Sequence, residues 1–140
     1  MKLLVIDDDE AFVEPLLWRL KREKYEVSYV SSVDDTQVRA GKLKTPLPDC
    51  ILLDIMMPRG TKYSKQETDA GGLTGLKLLE EIYKNNPKIP VIIITVRRDL
   101  DISELQLRFG DTVKKILLKP VTPTEVVETI RTFFPEQTHG

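Results

Sequence analysis

Residues 3–12 read LLVIDDDEAF, four apolar residues running directly into three aspartates and a glutamate. A short apolar run bounded by acid is what a strand buried on both faces presents. Four carboxylates in succession repel one another. Either a helix start absorbs them or a cation bridges them. The choice depends on what the other strands bring to the same place.

Outward from this stretch, apolar runs and helical patterns alternate along the chain. KLLVI (2–6) is followed by a helical segment over 10–24, with Phe12, Val13, Leu16, Leu17 and Leu20 on one face. YEVSYV (25–30) alternates as a strand, and a weaker helical pattern covers 33–41. CILLD (50–54), PVIIIT (90–95) and KKILL (114–118) are further strands. Helices are predicted over 73–86, 101–109 and 123–134. The last has a clear start: Thr122 as cap, Pro123 at the first helical position and Glu125 completing a capping box. Pro15 removes a backbone donor early in the first helix, which should kink there or begin late.

Five strands alternating with five helices predict a parallel sheet covered on both faces. With right-handed crossovers, the expected fold class is α/β, a flavodoxin-like doubly wound (βα)5 with strand order 2-1-3-4-5. The 140 residues suit a single domain over 1–140. One stretch breaks the rhythm. RGTKYSKQETDAGG (59–72) is polar and without apolar periodicity, and reads as a long loop, flexible at least in part.

Composition narrows the function. Hydrophobic residues at 41% and charged residues at 31%, with a net charge of −1, suit an ordinary globular protein and give no basic nucleic-acid footprint. No apolar run approaches the roughly 20 residues that span a bilayer. The single cysteine, Cys50, excludes an internal disulfide, fits a reducing cytoplasm and reads as a small buried hydrophobe. The single histidine, His139, stands near the end of the sequence, away from every motif, so histidine catalysis is not expected.

In an open α/β sheet, ligands bind beyond the carboxyl ends of the strands, where strand order reverses. There strand 1 delivers Asp7, Asp8 and Asp9; strand 3 delivers Asp54, then Ile55 and Met56; strand 4 delivers Thr95; strand 5 delivers Lys119. Clustered carboxylates are relieved by a cation, and Mg²⁺ is held by one or two carboxylates with waters and phosphate oxygens. Beside such an ion a carboxylate can attack phosphorus, with a lysine and a hydroxyl neutralising the transferring group. The set points to phosphoryl transfer onto aspartate.

The pieces LLVIDDDE, PDCILLDIMMP, GLKLLEEI, IPVIIIT and ILLKP stand in the order and at roughly the spacing of a response-regulator receiver domain, which the chain resembles from residue 2 to about 134. The resemblance implies Asp54 as phosphoacceptor and Asp8 as a direct Mg²⁺ ligand. It makes Asp7 the second acid, acting through water, and Met56 a ligand through its backbone carbonyl. Thr95 would be the switch hydroxyl, Lys119 the lysine pairing with the phosphoryl group, and Lys119–Pro120 a cis bond. It further implies a cytoplasmic signalling domain rather than an enzyme. Its donor would be a sensor histidine kinase or phosphotransfer protein, with a downstream protein partner not identified by sequence. No nucleic acid would bind this chain directly. A homodimer would form through the face of helix 4, strand 5 and helix 5.

Blander readings stand beside these. Asp9 and Glu10 suit helix capping and the helix dipole better than metal. Trp18 projects away from the apolar stripe near Pro15 and Arg22, and suits partial packing more than a partner contact. Three departures from the family are visible. In the family a glycine commonly follows the proline after the acceptor by four residues, whereas Pro58 and Gly75 stand far apart, making 59–72 an insertion. Ile116 occupies the usual place of a switch aromatic, and Val96 that of a small residue after the switch threonine. Met56 and Arg97 hold positions that tune hydrolysis, and their bulk suggests a long-lived phosphorylated state. Among rivals, a haloacid-dehalogenase-like phosphatase needs a second Asp where Met56 stands. A flavin-binding protein would want a phosphate loop where the acids stand. A phosphorylation-independent interaction module is the remaining alternative.

Overall fold

A computed structural model describes residues 1–135. Strands β1 (Lys2–Ile6), β2 (Glu26–Val30), β3 (Cys50–Leu53), β4 (Val91–Thr95) and β5 (Val113–Leu118) form one parallel sheet in the order β2-β1-β3-β4-β5. Helices are α1 (Glu10–Arg22), α2 (Lys65–Thr68), α3 (Thr74–Asn85), α4 (Ile102–Phe109) and α5 (Pro123–Phe133). The expected flavodoxin-like fold and strand order are observed. Expectations placed on 136–140, His139 among them, lie outside the described residues.

The sheet is apolar because it is covered twice. In β1, Leu3 and Val5 join the cluster under α1 and α5, while Leu4 and Ile6 join the cluster under α3 and α4. β3 and β4 alternate likewise: Cys50, Leu52, Ile92 and Ile94 face one way, Ile51, Leu53, Val91 and Ile93 the other. All of these are buried, and a buried Leu, Ile or Val contributes roughly 1.5–3 kcal/mol. A one-residue slip of a central strand would exchange its partners on both faces, so the register is firmly set.

Three expectations are corrected. The helical pattern over 33–41 is a run of turns closed by a single 3₁₀ turn, Arg39–Gly41. Ser32 Oγ accepts from Asp34 N and Asp35 Oδ1 from Gln37 N, so side chains satisfy the backbone in place of helical carbonyls. Of the two outcomes expected at Pro15, the late start is not found: helix α1 begins at Glu10 and includes the proline. The carbonyl that loses its partner belongs to Ala11, an exposed residue that water reaches. Finally, 59–72 is folded. It carries α2, a Ser64–Glu67 capping box and two core residues, Tyr63 and Thr68. Among the described residues no helix is long and apolar enough to cross a membrane.

Candidate functional site

The first strand ends in a main-chain corner that aims Asp7 inward. Asp7 N donates to the Val30 carbonyl at 3.1 Å, and Tyr29 Oη donates to the Asp7 carbonyl at 2.8 Å. Asp54 is set by its N–H bond to the Ile6 carbonyl at 3.0 Å. Helix α3 closes tightly on this corner: a Cβ at Gly75 would meet the Asp54 carbonyl oxygen at 2.0 Å, so only glycine allows the approach. Lys119 N donates to the Thr95 carbonyl at 2.9 Å, tying the ends of β4 and β5.

The predicted residues meet at this edge. Lys119 Nζ lies 2.9 Å from Asp7 Oδ2, 3.0 Å from Asp54 Oδ2 and 3.8 Å from Asp9 Oδ2. The second oxygens are held as well: Asp7 Oδ1 accepts from Asp9 N at 2.9 Å, and Asp54 Oδ1 from Met56 N at 3.0 Å. Asp7, Asp54, Thr95 and Lys119 are buried, while Asp8 is exposed. Asp7, Asp8 and Asp54 each offer a carboxylate oxygen within 4.8 Å of the others. Asp9 is the cap of α1, accepting from Phe12 N at 3.2 Å, as expected. The Lys119–Pro120 bond is cis.

Burial dominates the electrostatics. Desolvation raises Asp7 to about 6, opposed by the Asp9 N–H and Lys119 and assisted by the Asp54 charge. Asp8 is raised too, by desolvation and by repulsion from Asp54 and Asp9. Burial would lower Lys119, but hydrogen bonds and attraction to Asp7 and Asp54 outweigh it and raise the ammonium's pKa. The pocket thus holds one cation beside Asp7 and Asp8, two carboxylates whose ionisation is disfavoured. A second cation suits that donor set.

Two participants were less visible in the sequence. Phe12, counted there among the apolar stripe of α1, places its ring 4.5 Å from Lys119 Nζ, a cation–π contact that braces the ammonium. Its one signal was position, a single turn beyond Asp8. The sequence puts Arg97 two residues after Thr95, beside the pocket. Its N–H donates to Thr95 Oγ1 at 3.3 Å, and its guanidinium reaches the inserted segment. Met56 is exposed. Cys50 is fully buried, its thiol pushed up to about 12 chiefly by desolvation.

The model of the response regulator receiver domain matches residues 3–131, and the chain belongs to that family. It is therefore a receiver domain of two-component signalling. Over 125 residues it is 28% identical to the alkaline phosphatase synthesis transcriptional regulatory protein PhoP of Bacillus subtilis, covering 89% of this chain and 45% of that protein. It is 25% identical over 130 residues to the DNA-binding response regulator MtrA of Mycobacterium tuberculosis, covering 93% of this chain and 49% of the relative. The chain spans about half the length of these curated relatives. Among solved structures, a receiver domain from Clostridium thermocellum superposes with a TM-score of 0.70 at 28% identity, covering 97% of this chain and 95% of that one. A CheY-like receiver domain from Methanospirillum hungatei gives 0.72 at 24% identity, covering 97% and 94%.

Proposed function

We propose that Asp54 accepts a phosphoryl group from a histidine kinase or phosphotransfer protein, and that the phosphorylated chain signals through altered protein contacts. The observation that carries this reading is Lys119 Nζ bridging Asp7 and Asp54 at 2.9 and 3.0 Å inside a buried pocket. Asp54 Oδ2 would attack phosphorus in line, forming the acyl phosphate as the bond from phosphorus to the donor's nitrogen breaks and the electron pair leaves with the imidazole. Lys119 would follow the negative charge from the carboxylate to the phosphoryl oxygens, and Thr95 would donate its hydroxyl to another of them.

Asp7, Asp8 and Asp54, with the Met56 carbonyl, would hold Mg²⁺; desolvation, with repulsion from Asp54, raises the pKa of Asp7 and Asp8, a penalty that a bound cation offsets. The ion when bound supplies a Lewis acid that offsets charge on the transferring group. Residues 1–140 would form one receiver domain that acts in the cytoplasm and does not itself contact nucleic acid. The α4-β5-α5 face is where a homodimer would form, and it presents the exposed Leu118.

The test is incubation with a small phosphodonor and Mg²⁺, read by intact mass. One added phosphoryl group is expected, lost with Asp54→Asn and suppressed by chelation. No mass gain with any donor would leave a phosphorylation-independent interaction module as the better reading.

A further inference from the structure

The inserted segment 59–72 is pinned at three places. Near its start, the Asp34 carboxylate accepts from Thr61 N at 3.0 and 3.1 Å and from Thr61 Oγ1 at 3.1 Å. In its middle, Tyr63 is buried and Lys62 Nζ donates to Glu81 Oε2 at 2.6 Å. At its end, Arg97 Nη1 donates to the Gly72 carbonyl at 3.0 Å and lies 3.7 Å from Asp69 Oδ2. The same guanidinium grips Asp99 with two bonds, at 2.7 and 3.0 Å. The segment is a strap whose last anchor belongs to the loop after β4.

Arg97 therefore has two attachments. Its side chain holds the strap, and its main-chain N–H holds Thr95 Oγ1 at 3.3 Å, a long bond. Thr95 Oγ1 is the atom that the proposed phosphoryl transfer would recruit. The side chain of Arg97 is only 20% exposed, and its bidentate pairing with Asp99 makes it more than a loose surface ion pair.

We infer that Arg97 is a positioning residue coupling the Thr95 hydroxyl to the strap: turning the hydroxyl toward a phosphoryl group on Asp54 draws residue 97 off its latch on Gly72. This rests on the reading of Asp54 as phosphoacceptor. In the resting chain the latch holds the loop after β4 and keeps Thr95 bonded to Arg97 N. In the phosphorylated chain Thr95 donates to a phosphoryl oxygen while still accepting from Arg97 N, so residue 97 moves with the hydroxyl and the Gly72 carbonyl and Asp69 lose their cation. Coupling is reciprocal, so whatever opens the latch also favours the phosphorylated arrangement.

The test is hydrogen exchange by mass spectrometry on the whole chain, with and without Mg²⁺ and beryllofluoride, which mimics a phosphoryl group on aspartate. Intact mass with a small phosphodonor is measured in parallel. Peptides from 59–72 should exchange about tenfold faster in the activated protein, the scale of typical site-to-site coupling. Arg97→Ala should exchange rapidly there already, respond little, and bind beryllofluoride several-fold more tightly. Arg97→Lys, which keeps a cation within reach of one acceptor, should restore part of the response. If Asp54 gains its phosphoryl group while exchange across 59–72 stays unchanged, the coupling is refuted and the phosphoacceptor reading survives. If neither phosphoryl nor beryllofluoride is taken up, both fall. The wild-type comparison decides even if a variant fails to fold.

Discussion

Asp7 is buried with its charge, and the consequences can be measured. With its pKa raised from 3.8 to about 6, the folded chain keeps a proton between roughly pH 4 and 6 that the unfolded chain has released. Stability should therefore fall as pH rises through that window, and the cost should be complete above it. At about 1.4 kcal/mol per pKa unit, the metal-free protein loses on the order of 1–3 kcal/mol. Urea unfolding across pH 4–8 should show the slope, and Asp7→Asn should flatten it and stabilise the protein at neutral pH. Saturating Mg²⁺ should offset the same penalty, with an affinity that weakens as pH drops through about 6. At this scale the sequence was informative about identity and less so about environment. The acids, Thr95 and Lys119 were all legible from strand ends. That Asp7 rather than Asp8 would be the buried carboxylate depends on the corner made by Val30 and Tyr29, which no local pattern encodes.

Strands were the most legible elements, because each central strand is an unbroken apolar run. Segments held by isolated anchors were not. Residues 33–41 contain Val33 and Val38, both buried, but Asp35 bonds nearby backbone, Asp34 reaches Thr61, and Ala40 and Gly41 take positive φ. The apolar spacing there mimics a helical period, but turn chemistry prevails. The strap has no periodic apolar face, which predicts flexibility; buried Tyr63 and Thr68 seat it together with polar anchors at Asp34, Glu81 and Arg97. Helix α3 shows how tightly an element is committed to the site. Gly75→Ala would push a methyl group against the Asp54 backbone, where the separation is 2.0 Å. A loss of about 2–3 kcal/mol in chemical denaturation is expected, the upper range for overpacking against backbone that cannot yield. Phosphoryl transfer to Asp54 should suffer as well, since the helix must retreat from the carboxylate's own residue. A variant with unchanged stability would show that α3 has slack at its start.

At the scale of the whole molecule, the two apolar faces of one sheet make the chain a single cooperative layer, with Cys50 in the middle of it. This thiol is fully buried and pushed up to about 12, so it reacts only when the sheet opens. Labelling by a thiol reagent should therefore track global unfolding, with rates in native buffer slowed by a factor near the unfolding equilibrium constant. Labelling within minutes would mean that the strands part far more easily than their packing implies. The sheet order was legible because five apolar runs and right-handed crossovers leave few arrangements. The position of the strap against Asp34, Glu81 and Arg97 was not, because those contacts join residues distant in the chain.

Trp18 has an optical consequence. It is the only tryptophan, 63% exposed on the outer side of α1, with Arg22 stacked 5.2 Å from its ring. An indole already bathed in water emits nearly as it would in a denatured chain, so its fluorescence is a poor witness to unfolding. The same exposure makes it a sensitive one to docking, since any molecule that covers α1 would dry the ring and shift its emission to the blue. The chain carries a built-in probe of what settles on its first helix.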